Sequence, residues 1–128
     1  AYTAVLKKAI RGLSVHEALL MVALGSLKNA SDSEEIYFDQ KDLLQKIRSM
    51  ASASGERMYT EFRIQLEDVS NMVTNLAGHG LVAVGISSNP MIPYVKLDLD
   101  PFEIATGLRD TRHSRLAEKW LPNHRLFG

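Results

Sequence analysis

No cysteine occurs in the 128 residues, which excludes disulfides and thiolate metal centres from the chemistry of this chain. There is no signal-like start and no run of 18 apolar residues, so the sequence is expected to be soluble and intracellular, with no membrane span or anchor. No glycine-rich turn leads into a Lys-Ser or Lys-Thr pair, so nothing cradles a phosphate and the chain is not expected to hydrolyse nucleotide by itself. Ser14 stands near His16 without a nucleophile elbow around it. His16, His79, His113 and His124 fall on four separate elements, without the i, i+4 spacing that places two ligands on one helical face. Glu34-Glu35 is a charge pair in a loop. No catalytic residue, metal ligand or cofactor site is therefore expected in this fragment.

What is present is a patterned chain with 45% hydrophobic residues, long enough for one core and too short for two comfortable domains. Leu66, Val69, Met72, Val73 and Leu76 recur at helical spacing, so Ile64 to Ala77 is expected to bury one stripe and turn Glu67, Asp68, Ser70, Asn71, Thr74 and Asn75 outward. Gly78-His79-Gly80 stops that helix. Two strands follow, Leu81 to Ile86 and Tyr94 to Leu99, divided by the turn residues Ser87-Ser88-Asn89-Pro90. In the second strand Val95, Leu97 and Leu99 share one face and Tyr94, Lys96 and Asp98 the other.

Upstream, Ser14 and Glu17 form a capping box for a helix to about Lys28 whose residues are apolar nearly all round, which makes it the central core element. Asn29 to Glu35 reads as a polar surface connection and Ile36-Tyr37-Phe38 as a short extended piece. Asp39 caps a further helix with Leu43, Leu44, Ile47 and Met50 on its buried stripe, ended by Ser52-Ala53-Ser54-Gly55. Asp100-Pro101 with Glu103 starts another helix, whose Phe102, Ile104 and Leu108 are expected to pack back toward the hairpin. A last helix spans about Ser114 to Leu121. The expected core is Leu19, Val22, Leu43, Ile47, Leu66, Val69, Val73, Leu76, Val82, Val84, Val95 and Leu97. This order predicts an α+β, mostly helical winged helix-turn-helix, with a three-helix core, a two-stranded wing and C-terminal helices. Residues 1–12 read as the end of a preceding helix or linker, 13–99 as the winged helix, and 100–128 as a helical extension and tail. The helical opening suggests a fragment of a longer protein.

Lysine plus arginine balance aspartate plus glutamate at 15 each, but unevenly along the chain. Lys7, Lys8 and Arg11 stand without an acid before residue 14. Between residues 64 and 108, Lys96 alone opposes Glu67, Asp68, Asp98, Asp100 and Glu103. From residue 109, five cations face only Asp110 and Glu118. The helix and wing that would read DNA are thus acidic, and the ends are basic.

The runs Leu13-Ser14-Val15-His16-Glu17-Ala18-Leu19-Leu20, Leu76-Ala77-Gly78-His79-Gly80-Leu81-Val82 and Val95-Lys96-Leu97-Asp98-Leu99 resemble the C-terminal winged-helix domain of eukaryotic replication initiators, the family of the origin recognition complex subunits and cell division cycle protein six. The likeness extends from about residue 13 to 121. The opening Leu13-Ser14-Val15 and the Leu116 to Leu121 end with Trp120 resemble the branch of the fourth origin recognition subunit, whereas Val69-Ser70-Asn71-Met72 resembles the loader branch. The resemblance implies an AAA+ ATPase module elsewhere in the parent protein, a nuclear role in origin loading, and contacts with DNA, origin recognition subunits and replicative helicase subunits.

DNA readers place Arg, Lys, Asn, Gln and Ser on the recognition helix and cations on the wing. Here Arg63, Asn71 and Asn75 are the only base-facing candidates, and the wing tip from Ser87 to Met91 carries no positive charge. Phosphate contacts are expected instead from Lys7, Lys8, Arg11, Arg109, Arg112 and Arg115, giving weak duplex binding. The uncharged, proline-stiffened Pro90-Met91-Ile92-Pro93-Tyr94 points to protein docking through Met91, Ile92 and Tyr94. Alternatively, Ile92 and Tyr94 fold back near Phe102 and Trp120. Three functions fit: a replication-initiator winged helix, a sequence-specific transcription regulator, or a winged helix of another assembly such as a ubiquitin-ligase scaffold or helicase tail.

Overall fold

A computed structural model describes residues 4–31, 35–88, 91–97 and 99–121. Its elements run α1 (Ala4–Arg11), α2 (Val15–Ser31), β1 (Glu35–Tyr37), α3 (Gln40–Ser54), α4 (Arg57–Thr60), α5 (Leu66–Gly78), β2 (Ala83–Ile86), β3 (Pro93–Lys96), α6 (Pro101–Leu108) and α7 (Ser114–Trp120). This is the winged-helix α+β fold that the hydrophobic pattern predicts.

The helix starts are written in local polar chemistry. Ser14 and Glu17 exchange hydrogen bonds, the Ser14 amide donating to the Glu17 carboxylate at 3.1 Å and the Glu17 amide to the Ser14 hydroxyl at 3.3 Å. Asp39 accepts from the Lys41 amide at 2.7 Å, and Asp100 accepts from the Phe102 amide while Glu103 reaches back to the Asp100 amide. Each cap satisfies amides that the first helical turn leaves without partners. At the far end of α5, Gly80 takes φ +75°, the left-handed conformation that turns the chain into β2 without a Cβ penalty.

Helix α2 is the pole of the molecule, with Ala18 to Gly25 buried without interruption. Helices α3, α4, α5, α6 and α7 all pack on it. The sheet has the order β1-β3-β2, antiparallel throughout. The Ile36-Tyr37-Phe38 segment therefore joins the wing as a third strand, pairing Ile36 with Val95, while Val84 pairs with Val95 from the other side. Val95, Leu97 and Leu99 are buried as the alternation predicts; Asp98 lies outside the described residues. Lys28, near the end of α2, donates from Nζ to the Leu97 and Leu99 carbonyls at 2.6 and 3.0 Å. That clamp ties the root of the wing to the central helix.

Several expectations need correction. Leu66 and Val84 are 37% and 52% exposed, not core. Helix α5 starts at Leu66 rather than Ile64, so Ile64 enters the core and Leu66 stands at the rim; β2 is an edge strand, and the hairpin carries Val84 beyond the covering helices. Helix α6 packs on α1, α2 and α7 rather than on the wing, with Ile104 and Leu108 fully buried and Phe102 40% exposed. Helix α2 runs on to Ser31, through residues read as a loop. Helix α4 has no counterpart in the sequence reading, because four residues are too few to show a period. Asn89 and Pro90 of the wing tip lie outside the described residues.

Leu19 is fully buried on α2, so Leu19→Ala should destabilise by roughly 2–5 kcal/mol. Leu66→Ala, at an exposed position, should stay within about 0.5 kcal/mol. Denaturant unfolding of both variants checks the contrast, and similar losses would contradict the assigned core.

Candidate nucleic-acid interface

Helix α5 begins with Gln65 as its cap, whose amide donates to the Asp68 carboxylate at 2.8 Å. Asp68 is therefore part of the helix start, and its charge lies near enough to His16 to raise that imidazole's pKa, though burial dominates and leaves it lowered. Glu67, Ser70, Asn71, Thr74 and Asn75 form the exposed face of α5. Arg63 is exposed just before it. Neighbouring Arg48, which sequence reasoning did not single out, donates from Nε and Nη2 to the Ile64 carbonyl at 3.0 and 2.6 Å and holds this loop against α3.

The fold gathers the basic candidates elsewhere. Lys7, Lys8 and Arg11 are exposed on α1, and the Arg11 guanidinium donates to the Arg109 carbonyl at 3.0 Å, joining the end of α1 to the turn after α6. Arg109, Arg112 and Arg115 are exposed along that turn and the start of α7. Arg115 faces a small cleft beside Ser54, Glu56 and Lys119, and Lys119 donates to the Ala53 carbonyl at 2.7 Å. The Arg11–Arg109 contact thus brings the basic end of α1 to the basic turn after α6, while Arg63, Asn71 and Asn75 stay with α5.

Beneath that turn sits a polar clamp that the sequence did not reveal. The Tyr59 hydroxyl of α4 and Nδ1 of His113 lie 2.7 Å apart, and His113 is 3% exposed. Nε2 of His113 has no hydrogen-bond partner among the described residues. Burial pushes the His113 pKa down to about 4, with Arg112 adding to the effect, and burial lifts Tyr59 to about 12. Both groups are neutral across the physiological range, as a low-dielectric site demands. The clamp fixes the α6–α7 turn, and with it Arg112, against α4.

The wing presents a different surface. Met91 is 76% exposed and Ile92 37%. With Pro93, Tyr37, Phe38 and Leu66 they line an open cleft of about 580 Å³ between the wing, the start of α3 and the start of α5. Tyr94 does not fold back to the last helices. It packs beside Tyr37 at 5.4 Å between ring centroids and over Gly85, where a Cβ would come within 2.6 Å of its ring. Trp120 instead lies under Lys46 of α3, with the ammonium 5.7 Å from its ring. No described helix is long and apolar enough to cross a membrane.

Comparison with known proteins places this geometry. No protein-family model and no curated protein sequence matches the chain. Among solved structures it is similar to the Orc1 protein of Aeropyrum pernix in complex with DNA, at 18% identity and TM-score 0.59, across 81% of this chain and 26% of that one. The likeness is one of fold, and this chain corresponds to about a quarter of that protein's length.

The clamp under the basic turn sets a pH dependence. Because the folded pKa of His113 lies near 4, below the usual 6.5, the unfolded chain takes up a proton in that window that the folded chain does not. This contribution is complete above about pH 6.5 and falls as pH drops toward 4, by at most roughly 3 kcal/mol. Denaturant unfolding from pH 7 to 4 should show the loss in the native chain and a smaller one in His113→Gln. An equal slope in both would refute the assignment.

Proposed function

We propose that this chain is the winged-helix module of a replication initiator of the origin recognition and cell division cycle six family, working in the nucleus as part of a longer AAA+ protein. In this reading it docks neighbouring initiator or replicative helicase subunits and touches duplex DNA weakly. The observation that carries the reading is the separation of charge from the reading elements. Helix α5 opens with Glu67 and Asp68 and the described wing residues carry no cation at the tip, whereas Lys7, Lys8, Arg109, Arg112 and Arg115 are exposed on the opposite set of elements. The fold shared with the Aeropyrum pernix protein, solved with DNA, supports the family assignment. A sequence-reading regulator needs cations and amides converging on the groove from helix and wing together, and this chain offers Asn71 and Asn75 with Arg63 before the helix and no cation at the described wing tip.

Basic groups away from the reading helix hold phosphates without reading bases, so binding should follow salt more than sequence. The wing cleft, apolar on its wing side and bordered by Asp39, Gln40 and Lys41 of the α3 start, supplies the docking surface. Met91, Ile92 and Tyr94 give large side chains at low conformational cost, and Met91 adapts to irregular partner surfaces. Pro93 stands at the first position of the central strand β3, where its missing amide costs the ladder least, and docking in this reading proceeds through the side chains.

Replacing Arg109, Arg112 and Arg115 together by Gln should weaken duplex binding and flatten its salt dependence by up to about 0.9 in slope for each phosphate no longer neutralised. Asn71→Ala with Asn75→Ala should leave it unchanged. Fluorescence anisotropy across a salt series reads both, and a submicromolar footprint centred on Asn71 and Asn75 at physiological salt would overturn the reading. Separately, Met91→Asp with Ile92→Asp should shift stability by no more than about 0.5 kcal/mol while abolishing co-purification with initiator or helicase subunits. Retained association would remove the docking role.

A further inference from the structure

The loop between α4 and α5 holds an arrangement that the duplex contact leaves unused. Phe62 is 70% exposed, among the most exposed large apolar side chains described, and it is followed by the exposed Arg63. Both line a cavity of about 270 Å³ with Tyr59 and Ile64 below and Ser52, Thr60 and Arg48 around it. Tyr59 and Ile64 are 1% and 2% exposed, so the floor is rigid core. Two of the three nitrogens of Arg48 hold the Ile64 carbonyl, which fixes the guanidinium at the rim. The Tyr59 hydroxyl leads to the His113 clamp, and Arg112 lies within electrostatic reach of it, so the cavity adjoins the basic turn.

An exposed aromatic ring over a rigid apolar floor, bordered by guanidinium groups and hydroxyls, has the two parts that single-stranded nucleic acid requires. The ring offers a stacking platform to a base of any identity, and the cations track the backbone. The cavity is small for a helix or an extended peptide and suits one planar ring. A paired base is not accessible to Phe62, because its faces are covered by its neighbours in the stack. We infer that the Phe62–Arg63 cavity binds an unpaired base of single-stranded DNA, with Phe62 stacking on the base and the exposed Arg63 facing the adjacent phosphate, while Arg48 holds the loop in place. The contact is independent of the duplex surface on α1, α6 and α7.

The test measures anisotropy of a labelled oligothymidine strand and of a labelled duplex at low salt, with the whole chain and with Phe62→Ala, Phe62→Tyr and Arg63→Gln. Phe62→Ala should weaken single-strand binding about tenfold and leave duplex binding unchanged, Phe62→Tyr should retain both, and Arg63→Gln should weaken the single-strand arm and lower its salt dependence. Phe62 is exposed, so its truncation leaves the core intact, which circular dichroism verifies. Absence of single-strand binding, no effect of Phe62→Ala, or an equal loss on both nucleic acids would overturn the inference. Displacement of the strand by polyglutamate as readily as by unlabelled oligothymidine would also overturn it, in favour of an acidic peptide. A chain that fails on duplex but keeps the Phe62-dependent arm would refute the duplex proposal alone.

Discussion

Everything in this fold depends on the burial of one helix. Ala18 to Gly25 of α2 are buried on every side, so a helix with almost no polar surface in its middle must be enclosed by its neighbours. Helices α3 to α7 do so, and the approach is close: a Cβ on Gly25 would stand 3.0 Å from Leu121 and 3.1 Å from Ile104. The segments after the wing are therefore not an appendage. They complete the wall around α2, and their turn acquires its place because α6 and α7 pack on α2 and on each other with Ile104, Leu108, Leu116 and Ala117 buried.

Around that core the cations serve two purposes. Arg11, Lys28, Arg48 and Lys119 each donate to a main-chain carbonyl of another segment, at Arg109, Leu97 and Leu99, Ile64 and Ala53. A charged donor to a backbone carbonyl makes a stronger bond than a neutral one and satisfies an acceptor that the loop would otherwise present to water. These side chains locate the wing root, the α4–α5 loop and the α6–α7 turn. Lys7, Lys8, Arg112 and Arg115 make no such bond among the described residues and remain available to a polyanion. Counting cations by sequence segment therefore overstates the charge free to bind in some places and misses its convergence in others.

The wing shows the same division between support and presentation. Lys28 and the buried face of Val95, Leu97 and Leu99 hold its root, and pairing with β1 makes β3 a central strand. Tyr37 and Tyr94 cover part of its outer face. Met91 and Ile92, beyond these supports, are exposed apolar groups on a braced hairpin.

The amino-acid sequence by itself determined the parts whose physics is local. Ser14 with Glu17, Asp39, and Asp100 with Glu103 are caps because their side chains reach amides two or three residues away, and the alternation from Val95 to Leu99 assigns faces because a strand repeats every two residues. The acidity of α5 was legible for the same reason. What the tertiary structure decided is what depends on meetings across the chain. Ile36 became a strand residue because Val95 was there to pair with it, Leu66 and Val84 were left at the surface because one stands at the start of α5 and the other on an edge strand, and His113 became a neutral group because the packing of the chain around it buried it. Phe62 shows the limit most plainly: its sequence neighbours give no period, and its exposure over the Tyr59 and Ile64 floor exists only once α3, α4 and α5 have closed around that floor. Short-range hydrogen bonds and periodicity are written in consecutive residues, whereas burial is a property of the space between elements, and no single segment contains it.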